Sequence, residues 1–226
     1  MKILVLVGGT NEPSNSNVLA DAFIEGMQSI SGIETEKVRL KDLHIEHFHL
    51  DHYDMTRGQE PDMERVERLF QESAGVVFAT PIWNFGVPGN VKNLIDRLGR
   101  TGLDAGTRSV GTFKGKPTFL VFTGGTPPGA WRPLQKKTTS HLPVALRYFG
   151  CTVIGSHYEA RCTPGKGKFA LVVDQRPGSL EKMREFGKHF AGVAKTHATT
   201  GKLPAREAFL LWFFQFGQKL KRKLGL

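Results

Sequence analysis

The chain has 226 residues, 39% of them hydrophobic, and a formal net charge of +10. This length suits one domain with additions better than two domains. Two cysteines cannot build a disulfide framework, and their spacing matches neither a CxxC redox pair nor a zinc ribbon, so we expect a reducing compartment. The basic charge favours an anionic partner, whether a phosphorylated cofactor, an acidic lipid or a nucleic acid.

The first residues argue against export. Residues 3–7 are apolar, but this run ends at two glycines and is too short for a signal-peptide core or a spanning helix. We therefore expect a cytoplasmic protein.

Short apolar strands alternate with helical patterns along the chain. The pattern predicts five strands, at residues 3–7, 33–40, 75–79, 118–122 and 152–156. It predicts helices over residues 18–27, from Pro61, and over 92–98, 134–149 and 179–196, with a polar loop between positions 41 and 61. Such alternation indicates an α/β fold with a parallel sheet covered on both faces, which binds ligands at the carboxyl ends of its strands.

The first loop, residues 8–17 after the first strand, is rich in small hydroxyl and amide side chains. Such residues before a helix suit a phosphate monoester, because free N–H groups lie at the positive end of the helix dipole. An ordinary N-cap explains the same residues equally well. The loop is not a GxGxxG motif, and residues 111–116 miss the P-loop spacing by one residue, which excludes a nucleotide-triphosphate site of that kind.

The loop after the third strand, residues 79–89, carries Trp83, Asn84 and Phe85 between two prolines. Aromatic side chains on a rigid loop suit a planar ligand, although they would equally serve the core by folding back. The following residues resemble a signature of the NAD(P)H-dependent FMN reductases and NAD(P)H:quinone oxidoreductases of the flavodoxin-like superfamily. The matching positions are Pro81, Trp83, Asn84, Pro88, Gly89, Lys92, Asn93, Ile95, Asp96 and Arg97.

This resemblance covers roughly residues 1–195 and implies a flavodoxin-like three-layer sandwich that binds FMN. It implies phosphate contacts from Thr10, Ser14, Asn15 and Ser16. It implies ring contacts from the second loop, residues 79–89, and from the glycine-rich third loop, residues 123–131 after the fourth strand. The residues concerned are Pro81, Ile82, Trp83, Asn84, Phe85, Gly86, Thr123, Gly124 and Gly125.

The resemblance also implies a reaction in which NADPH or NADH reduces the flavin and a small acceptor, such as a quinone or a free flavin, then takes the electrons. The protein would mainly orient and tune the cofactor, so no acid/base dyad is expected and no catalytic residue is assigned. A homodimer or homotetramer is expected from the family.

Three positions depart from the family pattern. Gly9 stands where Ser is common, and Glu12 stands where a basic residue is often found. An acid beside a phosphate dianion is expected to weaken its binding. Trp83 replaces the usual Tyr, which keeps an aromatic face but removes the phenol.

A histidine-rich stretch, residues 44–54, contains residue types that bind transition metals. A polar surface loop needs no metal, so we assign no metal site and expect a lid over the acceptor site. Iron–sulfur members of the superfamily carry a compact cysteine cluster, which this chain lacks.

The tail differs in composition from the rest, so we divide the chain into a flavodoxin-like domain, residues 1–200, and a basic extension, residues 201–226. Its apolar residues recur at helical spacing beside basic ones, as in an amphipathic helix: Phe209, Trp212, Phe213, Phe216, Leu220 and Leu224, with Lys219, Lys221, Arg222 and Lys223. Packing within the protein or its oligomer is slightly favoured over peripheral membrane contact, and a nucleic acid is not expected.

Two other functions remain open at this point. A flavodoxin-type electron carrier would bind FMN and exchange single electrons with a protein, but such carriers are usually acidic. A flavin-free interaction or membrane-recruitment module would retain the fold without the cofactor.

Overall fold

The structure is a computed structural model that describes residues 1–163 and 170–223. In this part of the chain, five parallel strands form one sheet in the order β2-β1-β3-β4-β5. The strands are β1 (Lys2–Val7), β2 (Glu34–Arg39), β3 (Gly75–Pro81), β4 (Pro117–Thr123) and β5 (Thr152–Glu159). This order confirms the flavodoxin-like prediction, and it places a topological switch point between β1 and β3.

Helices cover both faces of the sheet. They are α1 (Asn15–Gln28), α2 (Pro61–Glu72), α3 (Gly89–Gly102), α4 (Lys136–Thr138), α5 (His141–Tyr148), α6 (Pro177–Thr200) and α7 (Ala205–Lys223). Side chains of α2, α3 and α5 pack with Leu4 and Leu6 of β1, whereas α1 and α6 pack with Ile3, Val5 and Val7. Because successive strand residues point to opposite faces, β1 contributes to both cores, and the molecule is the predicted three-layer sandwich.

One predicted helix is interrupted. The sequence pattern predicts a single helix over residues 134–149, but the chain forms a π-helical turn at Trp131–Gln135, the short α4, and then α5. Pro143 explains the break, because a proline inside a helix clashes with the carbonyl four residues earlier. It is tolerated in the first turn of α5.

Two glycines let α1 and α6 approach closely. A Cβ atom on Gly26 would lie 2.0 Å from the carbonyl oxygen of Arg184, and one on Gly187 would lie 2.1 Å from that of Phe23. The backbones of the two helices are therefore in direct contact, and this pair closes one face of the sheet beside the first loop.

The predicted C-terminal helix is present as α7, which lies against β5 and α5. The Gln218 side chain donates a hydrogen bond to the carbonyl of Tyr148 at 2.7 Å. Leu224 lies outside the described residues, as do the side chains of Lys221 and Arg222. None of the described helices is long and apolar enough to cross a membrane. The division at residue 200 stays a prediction.

Candidate functional site

A cavity of about 80 Å³ lies at the carboxyl ends of β1, β3, β4 and β5. It brings together most of the predicted site: Ser14, Asn15, Ser16, Pro81, Ile82, Trp83, Thr123, Gly124 and Gly125. Thr10, Asn84, Phe85 and Gly86 are not among its lining residues. The sequence prediction missed Asn11, Cys162, Thr163 and Ala170, which also line it.

The N-terminus of α1 opens into this cavity. Ser14 is the N-cap, and its hydroxyl accepts a hydrogen bond from the backbone N–H of Asn17 at 3.4 Å. The hydroxyl oxygens of Ser14 and Ser16 are both buried and lie 3.1 Å apart. The first-turn N–H groups of a helix have no carbonyl partner within the helix and carry its positive dipole end. Two hydroxyls and these N–H groups form a donor set that fits a phosphate monoester.

Gly9 makes room for this donor set. A Cβ atom on Gly9 would lie 2.6 Å from both the Ser14 and the Ser16 hydroxyl oxygens. A side chain at this position would therefore displace the two serines. The hydroxyls of Ser14 and Ser16 occupy the space that a side chain at position 9 would need, which explains why this chain has Gly9 where Ser is common in the family.

The Asn15 side chain binds the segment that follows β5. Its amide nitrogen donates to the carbonyls of Cys162 and Ala170 at 3.3 and 3.0 Å, and its oxygen accepts from the N–H groups of Val172 and Val173 at 2.9 and 3.2 Å. All four partners belong to the protein backbone. Asn15 can thus offer a ligand its backbone N–H, while its side chain positions the residues that close one side of the cavity.

Glu12 is neutralised by two cations. Its carboxylate forms an ion pair with Arg39 at the end of β2 and lies 3.4 Å from the Lys41 ammonium. Residual burial acts to raise the pKa of Glu12, but hydrogen bonds from Arg39 and Lys41 outweigh it and lower that pKa. The repulsion expected between Glu12 and a bound phosphate is therefore offset by the two neighbouring positive charges.

The second loop contains a tight two-residue turn. The N–H and C=O groups of Trp83 and Gly86 exchange two hydrogen bonds of 2.9 Å, and both turn residues, Asn84 and Phe85, adopt positive φ angles of 49° and 64°. Asn tolerates left-handed backbone, whereas the same conformation is unfavourable for Phe85. Trp83 lines the cavity, whereas Phe85 projects from the turn and is 55% exposed.

The third loop is held by β5 and by an aromatic pair. The Gly124 N–H donates to the carbonyl of Glu159, and the Gly124 carbonyl accepts from Cys162. The Tyr158 hydroxyl lies 2.6 Å from that of Thr126 and donates to the Thr126 carbonyl at 3.1 Å. Trp131 stacks on Tyr158 with ring centroids 4.7 Å apart. Tyr158, which no sequence pattern singles out, thus holds the glycine-rich loop at the cavity.

A partly buried ion cluster holds the end of β5. The Glu159 carboxylate accepts hydrogen bonds from Arg176 at 2.8 Å and from Ser179 at 2.9 Å, and it lies 3.1 Å from His157. Burial acts to raise the pKa of Glu159, but these partners lower it overall. Arg176 also donates to the carbonyls of Ala160 and Arg161. Glu159 therefore stays ionised and positions the chain that leads to Cys162 and Thr163.

A match to a known family shows which reaction the protein belongs to. The family model described as NADPH-dependent FMN reductase matches residues 1–160. The chain belongs to this family. It is an FMN-dependent NAD(P)H oxidoreductase with a small-molecule acceptor, and the cavity lies where the fold places ligands, at the switch point.

Known proteins with similar sequences and folds agree with the assignment to the FMN reductase family. The chain is 31% identical over 150 residues to an FMN-dependent NADH:quinone oxidoreductase of Beijerinckia indica, covering 58% of this chain and 73% of that protein. It is 26% identical over 171 residues to an iron-sulfur flavoprotein of Archaeoglobus fulgidus, covering 74% and 71%. An FMN-dependent NADH-azoreductase from Bacillus anthracis, solved with FMN, shares the fold at TM-score 0.65 and 15% identity, covering 84% and 100%.

Similarity to an iron-sulfur flavoprotein raises the question of a second redox centre. A [2Fe–2S] or [4Fe–4S] cluster needs four cysteine ligands or their equivalents. This FMN reductase homologue has two cysteines in its whole sequence, Cys151 and Cys162. Both are buried free thiols, and burial raises their pKa values to about 12 and about 11. Neither is suited to act as a thiolate ligand or nucleophile.

The histidine-rich stretch, residues 44–54, is held by hydrogen bonds to α3, and none of its residues lines the described cavity. Fully buried Arg97 donates to the carbonyl of Glu46 at 3.0 Å and forms a bidentate pair with Glu60. Side chains of Glu46, His49 and His52 approach one another within 4.8 Å. However, Nδ1 of His52 accepts a hydrogen bond from the His49 N–H, which leaves the proton of neutral His52 on Nε2. The lid over the acceptor site stays a prediction.

Proposed function

We propose that the cavity binds FMN, with the phosphate at the N-terminus of α1 and the isoalloxazine ring beside the second and third loops. The phosphate partners are Thr10, Ser14, Asn15 and Ser16, and the ring partners are Pro81, Ile82, Trp83, Asn84, Phe85, Gly86, Thr123, Gly124 and Gly125. The observation that carries the proposal is the pair of buried hydroxyls of Ser14 and Ser16 at a helix N-terminus on the switch point of the sheet.

The size of the cavity indicates how the flavin would lie. Pockets that enclose a whole cofactor-sized ligand measure about 300–1,000 Å³. A cavity of about 80 Å³ suits the phosphate end alone. The ring would then lie along the more open rim near Trp83, which leaves one of its faces for a nicotinamide.

In this proposal the protein's own residues bind FMN and orient it. When bound, FMN would supply the acceptor for a hydride from NADPH or NADH and the donor for the electron acceptor. The α1 N-terminus and the two serines hold the phosphate, and Trp83 offers an aromatic face. The backbone of residues 123–125 lies along the ring edge, with the Gly124 N–H already donated to the Glu159 carbonyl. Tyr158 and Asn15 act indirectly, since each positions a loop that lines the cavity.

A quinone is the acceptor class that we propose. The relatives from Beijerinckia indica and Bradyrhizobium diazoefficiens are named as FMN-dependent NADH:quinone oxidoreductases, which supports it. A free flavin is the second acceptor to test, because the family is described by FMN reduction. The basic charge of +10 argues against the acidic electron-carrier alternative.

Three finer features belong to the same proposal. The protein acts in the cytoplasm, and it assembles as a homodimer or homotetramer. The extension, residues 201–226, adds a peripheral contact surface, either to a subunit or to a membrane, and no contact with nucleic acid is proposed.

An absorbance experiment tests this function. The purified chain is reconstituted with FMN, desalted and titrated anaerobically with NADPH or NADH, and then given a soluble quinone. Retained flavin that bleaches and is reoxidised by the quinone supports the proposal. Retained flavin that does not bleach favours a carrier, and a chain that retains no flavin contradicts both.

A variant pair locates the site. Ser16→Ala removes one buried hydroxyl of the phosphate donor set, and we expect FMN affinity to fall roughly 10-fold, the loss of one charge-assisted hydrogen bond. Ser73→Ala serves as the matched control, because this buried hydroxyl donates to the Leu69 carbonyl at the end of α2 and does not line the cavity. Equal FMN affinity in the Ser16 variant and the unmodified chain would refute the phosphate assignment.

A further inference from the structure

The outer face of α7 carries a stripe of exposed apolar side chains. The stripe consists of Phe209, Trp212, Phe213, Phe216 and Leu220, which are between 46% and 62% exposed. Their three- and four-residue spacing places them on one side of the helix. Trp212 stacks between Phe209 and Phe216 at centroid distances of 6.0 and 5.6 Å, so the aromatic rings form one continuous surface.

The opposite side of α7 already packs on the rest of the protein. Gln218 is buried and donates to the Tyr148 carbonyl, and Leu211 lies beside Gly115, where a Cβ atom would be 3.0 Å from its Cδ2. Glu207 lies with Leu211 in the small cavity against Arg147 and Cys151. Self-packing of the helix, which the sequence slightly favoured, therefore accounts for one face and leaves the aromatic stripe uncovered.

Charges around the stripe have one sign. Arg206, Lys219 and Lys223 are exposed and stand three residues from Phe209, Phe216 and Leu220 respectively, at the borders of the stripe. Glu207, the one acidic residue between positions 205 and 223, is on the packed side. An apolar stripe bordered by cations is complementary to a partner that offers an apolar layer beneath a layer of anionic groups.

We propose that α7 docks the protein on an anionic lipid surface, with the stripe in the boundary between headgroups and acyl chains and the three cations on lipid phosphates. Aromatic side chains are favoured at that depth, and basic residues near an anionic leaflet each add attraction. The proposal gives the peripheral contact surface of the extension a specific occupant and does not depend on FMN binding.

A second copy of the chain fits the stripe less well. If two stripes packed together about a two-fold axis, the cations that border each would meet across the interface. The part of α7 that the structure describes offers no outward acid to pair with them. Like charges in such a contact oppose association, whereas lipid phosphates would neutralise them.

Docking through α7 would leave the cavity open. The helix packs near Gly115, just before β4, and near Cys151 and Thr152 at the start of β5. The cavity lies at the opposite, carboxyl ends of the strands. Nicotinamide and acceptor would thus reach the cavity from the aqueous side.

Vesicle flotation of the full chain tests the proposal. Vesicles of phosphatidylcholine alone are compared with vesicles that also contain phosphatidylglycerol, at low and high salt. We expect flotation with the anionic vesicles only, and its loss at high salt. Sedimentation equilibrium of the same samples without lipid measures self-association through the stripe.

Two variants and two matched controls make the result specific. Phe213→Ser removes an exposed ring of the stripe. The double variant Lys219→Gln/Lys223→Gln removes two cations, and the loss of each cation should weaken vesicle binding roughly fivefold. The controls are Leu50→Ser, an exposed apolar residue elsewhere, and Lys136→Gln with Lys137→Gln on α4. Flotation that the controls retain and the stripe variants lose supports lipid docking.

Three outcomes overturn it. Flotation with neither vesicle, or equally with both, contradicts an anionic lipid surface. Self-association that Phe213→Ser abolishes, without flotation, assigns the stripe to a second copy. If Phe213→Ser fails to fold by circular dichroism, the charge variant alone decides, since it leaves every apolar contact in place.

Discussion

The side-chain oxygen of Asn15 accepts a hydrogen bond from the backbone N–H of Val172 at 2.9 Å, which links the start of α1 to the segment after β5. Asn15 makes three further hydrogen bonds to the same segment. The loop proposed to bind phosphate and the chain that closes the cavity are therefore held by one side chain.

Replacing Asn15 by Ala should lower both stability and FMN affinity. The substitution leaves two N–H groups and two carbonyls of the segment without their partner, which costs roughly 1–3 kcal/mol. Urea unfolding measures the stability, and FMN titration measures the affinity. Asn17→Ala is the control, because Asn17 binds the exposed side chains of Asp21 and Lys37 instead. Equal effects of both variants would contradict this account.

The contact between α1 and α6 should tolerate no side chain at Gly187. An added Cβ would lie 2.1 Å from the Phe23 carbonyl oxygen, so the helices must separate, and we expect Gly187→Ala to cost about 2 kcal/mol or more. Gly192 lies one to two turns further along α6 with open space around it. Gly192→Ala should therefore stabilise by up to about 1 kcal/mol through helix propensity. Thermal unfolding of the two variants should shift in opposite directions.

The Glu60–Arg97 pair should make stability depend on acid pH. Hydrogen bonding to Arg97 lowers the pKa of Glu60 from 4.5 to about 2 in the folded protein. Because the folded pKa is below the unfolded one, the stabilisation is fully present above about pH 4.5 and is lost as pH falls toward 2. The full effect is roughly 3 kcal/mol. Urea unfolding at several pH values in this window measures it.

The variant Glu60→Gln tests that assignment. It leaves the Arg97 charge buried without its partner, so the protein should lose roughly 3 kcal/mol at neutral pH and lose less of its remaining stability on acidification. Glu64→Gln, an exposed carboxylate one turn along α2, should change neither quantity appreciably. An unchanged acid profile in Glu60→Gln would show that other carboxylates cause the pH dependence.

The sequence predicted the sheet and most of the cavity because both depend on local patterns. Apolar runs define most of the strands, and alternation defines β2, in which only Val38 is buried. Parallel strands then bring the loops after residues 7, 81 and 123 to one edge. The family signature then pointed to Trp83 and its neighbours. The break in the helix at residues 134–149 was also local, but the helical spacing of its apolar residues outweighed Pro143 in the prediction.

The roles that the sequence missed depend on contacts between residues distant along the chain. Tyr158 and Asn15 position loops that are 32 and up to 158 residues away, and no local pattern identifies such pairs. Asn15 was selected as a phosphate partner because of its loop, whereas its side chain binds backbone groups near residue 172. The neutralisation of Glu12 by Arg39 is likewise visible only once β1 and β2 are adjacent.

Tyr158 should control the glycine-rich loop without touching the ligand. Tyr158→Phe keeps the stacking on Trp131 but removes the hydroxyl that binds Thr126, so residues 124–126 should exchange amide hydrogens faster and FMN affinity should fall severalfold, about 1 kcal/mol. Tyr148→Phe is the matched control, since its hydroxyl binds the Arg108 carbonyl away from the cavity. Because the loop position rather than the cofactor chemistry changes, reduction of saturating bound FMN by NADPH should slow less than FMN binding weakens. Weaker binding with unchanged amide exchange in the loop would instead indicate direct contact between Tyr158 and the flavin.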